Sequence, residues 1–202
     1  MRAATARTAV GRNGPAFWPR GPIPSRCKRL GAHRVKGLVC KVPVSGDALR
    51  SVMRHWATGI TVVTCPTLEG PHGITVNSFT SLSLDPPLCL LCIDKRTKAH
   101  ALIPAAGAFA VSLLGADQAG ISDRFANRRP DLPDLFAGLP LLTAPSGIPV
   151  FADALGYLDC TLEAQLPGGD HTIFVGRVQH AAAQVEGTPL LFYGGRYRAL
   201  GD

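Results

Sequence analysis

Acidic side chains are missing from the first 46 residues of this 202-residue chain, where ten Arg or Lys stand. The formal charge of +7 is therefore a property of this leader. Residues 47–202 hold eleven basic and fourteen acidic side chains, a net of −3, so the remainder presents no excess of positive charge to a polyanion. No window holds eighteen consecutive apolar residues, which leaves no candidate for a membrane-spanning helix and predicts no membrane partner. A second C-x-x-C is lacking. Cys89 and Cys92 fall on an expected strand, where side chains three apart face opposite ways and cannot share a metal. The six His are scattered, none with another ligand at i, i+4, so no metal is expected. Six cysteines in a chain of this length do not suggest a disulfide framework; they read as small core residues in a reducing, cytoplasmic compartment. G-x-G-x-x-G, Walker and G-x-S-x-G sequences are all absent, so no Rossmann site, P-loop or hydrolase elbow is written here.

What is present divides into two parts. Residues 1–44 scatter Gly and Pro without helical or strand period and read as a disordered basic leader or an over-extended start. A transit peptide shares the Arg-rich, acid-poor composition, but the prolines oppose its amphipathic helix. A nucleic-acid arm is disfavoured because the charges stand singly rather than clustered. Residues 45–202, 46% hydrophobic over the whole chain, are enough for one domain with a core.

In that domain "SGDALRSVMRHWATG" predicts a helix capped by Ser45, with Leu49, Val52, Met53 and Trp56 on one face and Gly59 at its end. "ITVVTCP" predicts a strand, and "GPHG" (70–73) a turn leading to a second strand over 74–84. "LCLLCID" reads as a buried strand, "TKAHALIP" as a short helix stopped by Pro104, "AFAVSLL" as a strand, and "DQAGISDRFANR" as a helix capped by Asp117. A Pro- and Gly-rich excursion (130–149) precedes three strands: "ALGYLDCTLEAQL", "HTIFVGRVQHAAAQ" and "PLLFYGGRYRAL". Strands joined mostly by turns favour an antiparallel barrel over a doubly wound sheet.

Chemistry can reside in four places. Asn77-Ser78-Phe79-Thr80-Ser81 interrupts an otherwise apolar extended segment with mixed donors and acceptors, the combination a planar heterocycle requires. An exposed strand face or a turn accommodates the same residues. "CIDKRTKAHAL" ends a strand at Asp94, supplies Lys95, Arg96 and Lys98, and offers Thr97 as a helix cap, a pattern suited to phosphate or to a solvated basic loop. His171 follows the "PGGD" turn at a strand start. Tyr193, Arg196, Tyr197 and Arg198 lie near the C-terminus, either over an anionic ligand or along a strand edge.

Taken in order, "MRHWATGITVVT", "GITVNSFTSLSLDPPL", "DKRTKAHALI", "DRFAN", "GDHTIFVGRV" and "LLFYGGRYRAL" resemble the flavin reductase-like, FMN-binding split-barrel family over about residues 49–200. These are the reductase components of two-component flavin-dependent monooxygenases. The resemblance implies a mainly β fold with a few short helices, an antiparallel Greek-key split barrel. It implies an NAD(P)H:flavin oxidoreductase that passes hydride to FMN (or FAD) from NADH or NADPH and supplies reduced flavin to a partner monooxygenase. A flavin carrier without turnover is the alternative. It further implies a homodimer, flavin contacts from Thr75, Val76, Asn77, Ser78 and Ser81, and a phosphate segment at Asp94, Lys95 and Thr97. Phe125 would help close the pocket, and His171, Arg196 and Tyr197 would meet the nicotinamide, His171 being the candidate catalytic residue.

Overall fold

A computed structural model of the chain describes residues 44–128 and 132–200. The expectations for residues 1–43 lie outside the described residues.

Helix α1 (Gly46–Met53) is followed by strands β1 (Thr58–Gly59), β2 (Thr61–Thr67), β3 (Gly70–Val76), β4 (Phe79–Leu84) and β5 (Pro87–Asp94). Helix α2 (Lys98–Ala106) and β6 (Ala108–Leu113) lead through a tight turn into α3 (Ala119–Phe125). A small hairpin of β7 (Leu141–Thr143) and β8 (Pro149–Phe151) precedes the long β9 (Gly156–Gly168) and β10 (His171–Ala183). Strands β11 (Leu191–Tyr193) and β12 (Arg196–Arg198) follow, pairing with β1 in a separate small sheet. The described chain is mostly antiparallel β with three short helices, the expected class.

Seven strands form one sheet in the order β3-β2-β6-β9-β10-β5-β4, antiparallel throughout. Its two edges, β3 and β4, are consecutive in sequence and joined only by Asn77 and Ser78. From Val76 to Phe79 the chain reaches at most roughly 11 Å in three steps, whereas the six spacings of a flat seven-stranded sheet, about 4.8 Å each, add up to far more. The sheet must therefore roll up. The β4–β5 ladder, in which Phe79 faces Leu91, is prolonged to Ser78: the Cys92 amide donates to the Ser78 carbonyl (3.2 Å) and Ser78 Oγ donates to the Cys92 carbonyl (2.8 Å). This brings the end of β3 beside the end of β5.

Inside the barrel, Cys89, Leu91 and Ile93 of β5 pack with Val63, Cys65, Phe109, Val111, Cys160 and Phe174. Their period of two sends Cys92 to the other side, as anticipated for the C-x-x-C. Strand β2 is buried on both faces, because Val62 joins a second cluster with Ile60, Leu114, Phe125, Phe151 and Leu190. That two-sided burial suits its β-branched composition, and the buried Thr61 and Thr64 hydroxyls donate to the Val76 and Pro149 carbonyls (2.8 and 2.7 Å).

Several expected boundaries move. Helix α1 stops at Met53 rather than near Gly59, because Thr58 and Gly59 pair with Phe192 and Leu191. "GPHG" is not the turn: residues 68 and 69 turn, and Gly70–Gly73 already pair with β2, at a sheet edge where Pro71 is tolerated. Helix α2 runs through Pro104 and ends at Gly107, whose φ of 67° suits glycine and whose amide donates to the Ile103 carbonyl (3.0 Å). Asp117 does not cap α3. The side chain of Gln118 accepts from the Gly115 amide (2.9 Å) instead. The segment 74–84 is not one strand but two, broken at Asn77 and Ser78 where the barrel closes.

Candidate functional site

Strand β3 ends in the polar strip. Val76 is buried, and its carbonyl accepts from Thr61 Oγ1 (2.8 Å). Thr75 Oγ1 donates to the Ser122 carbonyl of α3 (2.6 Å), so its proton is committed while its oxygen still accepts. Asn77 and Ser78 are exposed; Ser78 is pinned to Cys92 and the Asn77 amide points to Thr58 Oγ1 at 3.4 Å. Ser81 lies further along β4, exposed and opposite Cys89.

The end of β5 comes next to this strip. Asp94 accepts from the Arg96 amide (2.9 Å), Nε (3.1 Å) and Nη2 (2.6 Å), and the Arg96 guanidinium holds its carboxyl well below the usual carboxylate range. Lys95 is exposed, and its Nζ donates to the Gly169 carbonyl (2.6 Å), which ties it to the β9–β10 turn. Thr97 occupies the position before α2, but its hydroxyl bonds back to the Asp94 carbonyl (2.8 Å) and does not cap the helix. The first amides of α2 are thereby left without a side-chain cap.

His171 opens β10 directly opposite Asp94 in register. Its Nδ1 meets Asp170 Oδ1 at 2.8 Å, and this bond lowers the Asp170 carboxyl below its ordinary value. Asp94, Lys95, Thr97 and His171 thus form one group at a barrel end. Arg196 and Tyr197 belong to another. Tyr197 Oη meets Ser122 Oγ (2.9 Å) and donates to Asp123 Oδ1 (2.8 Å). Burial, together with the Asp123 carboxylate, pushes its phenol up. Ser122 therefore joins Tyr197 to Thr75, while no described hydrogen bond or ion pair joins His171 to Arg196, which is exposed.

The family question is settled by comparison with known proteins. A model of the flavin reductase like domain matches residues 53–201. The chain belongs to the flavin reductase-like family. It is 36% identical over 164 residues to the flavin-dependent monooxygenase reductase subunit HsaB of Rhodococcus jostii, covering 81% of this chain and 83% of that one. It is 43% identical over 152 residues to an NADH-dependent FAD reductase of Streptomyces globisporus, covering 74% and 83%. The solved structure of the NADH:FAD oxidoreductase SgcE6 of Streptomyces globisporus C-1027 superposes with a TM-score of 0.75 at 38% identity, covering 82% of this chain and 99% of that one.

Within this flavin reductase-like chain, Phe125 is not at an open surface. It is 3% exposed, its ring against Phe136 and Phe151 at centroid distances of 4.8 and 5.6 Å. The ring covers the backbone of Gly73, so Phe125 seats α3 on β3. Ser122, Asp123, Asp170 and Thr58, the partners that hold the candidate residues, are not singled out by any motif in the sequence. Asp123 and Asp170 merely sit in "DRF" and "GDH", near Phe125 and His171; Ser122 gives no sequence signal, since only folding brings it to Thr75.

Proposed function

We infer that this chain is an NADH-dependent flavin reductase, moving hydride from the nicotinamide to FMN or FAD and releasing reduced flavin to a flavin-dependent monooxygenase. The observation that carries the reading is the partly open strip Thr75–Ser78, bonded through Ser78 to Cys92 on the strand that leads into α2, a helix whose first amides lack a side-chain cap. NADH and FAD are taken from the names of the relatives above; FMN remains admissible because the strip and the α2 start need only a ring and one phosphate.

The residues fit such a guest. Asn77 and Ser78 present an amide and a hydroxyl from exposed backbone, and the α2 amides with nearby Lys98 form an anion cradle. Flavin supplies the ring that accepts hydride, so the chain needs no acid or base of its own for that step. Thr75, held by Ser122, fixes one wall. The Asp94–Arg96 pair and the Lys95–Gly169 bond hold the β5–α2 segment in place. His171, fixed by Asp170, orients the nicotinamide; reacting atoms must lie about 3–3.5 Å apart. The test is NADH consumption by the purified chain with added FMN or FAD. Turnover with either flavin is expected. Bound yellow cofactor without NADH consumption would replace the reductase with a carrier.

We place the enzyme in the cytoplasm and take it to be a homodimer. The described cysteines are all free, including Cys89 and Cys160 with their sulfurs 3.8 Å apart, which accords with a reducing compartment. Among the described residues no helix is long and apolar enough to cross a membrane. Leu49 and Val52 of α1 and Leu82 and Leu84 of β4 are exposed, apolar surface of the kind a second copy covers.

A further inference from the structure

A cavity of about 400 Å³ lies between α1 and the β11–β12 turn, and the hydride-transfer reading uses none of it except Asn77 at its edge. We propose that this cavity receives the adenosine diphosphate half of a dinucleotide, a proposal that rests on the flavin reductase reading. The volume falls within the roughly 300–1,000 Å³ common for small-molecule sites.

Two kinds of side chain meet there, and together they match two kinds of ligand group. Arg50 of α1 and Arg54, just past its end with its amide bonded to the Arg50 carbonyl (3.0 Å), both line the cavity. Among the described residues Arg54 forms no ion pair. Arg50 holds Asp47 at 2.6 Å, but both are largely exposed, and such a surface pair contributes at most about 1 kcal/mol. A diphosphate offers a guanidinium stronger, bidentate bonds and displaces Asp47. Trp56 and Tyr193 line the same space at 66% and 41% exposure, large aromatic faces left in water. The edge of His55 steadies Tyr193, at a centroid distance of 6.4 Å and 74° between planes. A purine stacks on such faces.

The walls are fixed. The β11–β12 turn is Gly194-Gly195, with φ of 63° and 81°, and the Gly194 amide donates to the Arg54 carbonyl (2.9 Å). Glycine at both turn positions permits the tight reversal and leaves no side chain over the opening. Asn77 belongs to the cavity and to the flavin strip alike, so a ring seated on Thr75–Ser78 has a continuous path into it.

FAD and NADH both carry adenosine diphosphate; FMN and reduced nicotinamide mononucleotide do not. The experiment therefore has two arms on the full chain and its R54A and W56A variants, both at exposed positions. Calorimetric titration gives the ratio of FAD to FMN affinity. Steady-state kinetics give the preference for NADH over reduced nicotinamide mononucleotide. Loss of one charge-assisted contact shifts the affected ratio about ten-fold toward the mononucleotide. A shift in the first arm assigns the cavity to FAD, and a shift in the second assigns it to NADH. Ratios that stay put in both arms, with wild-type NADH oxidation intact, overturn the subsite alone. A changed sedimentation mass with unmoved ratios gives the face to a second copy and overturns it equally. Wild-type chain that neither binds FMN nor oxidises NADH sinks the reductase reading itself.

Discussion

His171 is bonded through Nδ1 to Asp170 and faces Asp94 across the β5–β10 ladder, so its ring is held rather than free to swing. A held imidazole with no proton to move positions its ligand, and H171A should raise the NADH KM about five- to ten-fold, the worth of one hydrogen bond of roughly 1 kcal/mol. Its kcat should fall less. Steady-state kinetics check this; an unchanged KM removes the nicotinamide role. Asp94 offers a second residue-level test. Its carboxyl is depressed chiefly by the Arg96 side chain. A depressed acid stabilises the fold above the ordinary carboxylate pKa and loses that contribution as pH falls through its own lower value. In R96A the Asp94 titration should therefore return toward about 3.9. Carboxyl-carbon NMR across an acid series measures it, and a midpoint that stays low would show that Arg96 is not the cause.

Helix α3 is the element on which the candidate site depends. Its carbonyl at Ser122 takes Thr75, its Ser122 hydroxyl and Asp123 take Tyr197, and its Phe125 covers Gly73 of β3. A Cβ on Gly73 would lie 2.6 Å from the Phe125 ring, which is packed among other rings and cannot step aside. G73A should destabilise the chain by roughly 1–3 kcal/mol and weaken flavin binding through the displaced Thr75. Urea denaturation and flavin titration read the two effects; wild-type values in both would detach α3 from the site. Element identities were largely legible from composition: β5 is a continuous apolar run up to Asp94, and β2 is rich in β-branched residues. Boundaries were less so. Pro104 and "GPHG" carry breaker composition, yet α2 continues through the first and β3 incorporates the second, since tertiary pairing outweighs local preference there.

At the scale of the whole molecule, exposed Leu82, Leu84, Leu49 and Val52 leave the single chain with apolar surface unpaired by any described element. Sedimentation equilibrium should give a mass twice 21.3 kDa, and L84K, at a side chain 93% exposed, should shift the population toward monomer without unfolding it. A wild-type monomer at micromolar concentration would refute the dimer. The amino-acid order by itself determined that the domain is an antiparallel β protein, that the chain's excess positive charge belongs to residues 1–46, and that Asn77–Ser81 and Asp94–Thr97 are out of keeping with a plain core. Composition and period are local properties, and they survive in the string. Only the tertiary structure decided that β3 and β4 are the two edges of one rolled sheet, that Phe125 faces inward, and that Ser122 binds both Thr75 and Tyr197. Those facts depend on residues far apart in sequence meeting at specific distances, which ring closure of the barrel imposes and no local pattern encodes.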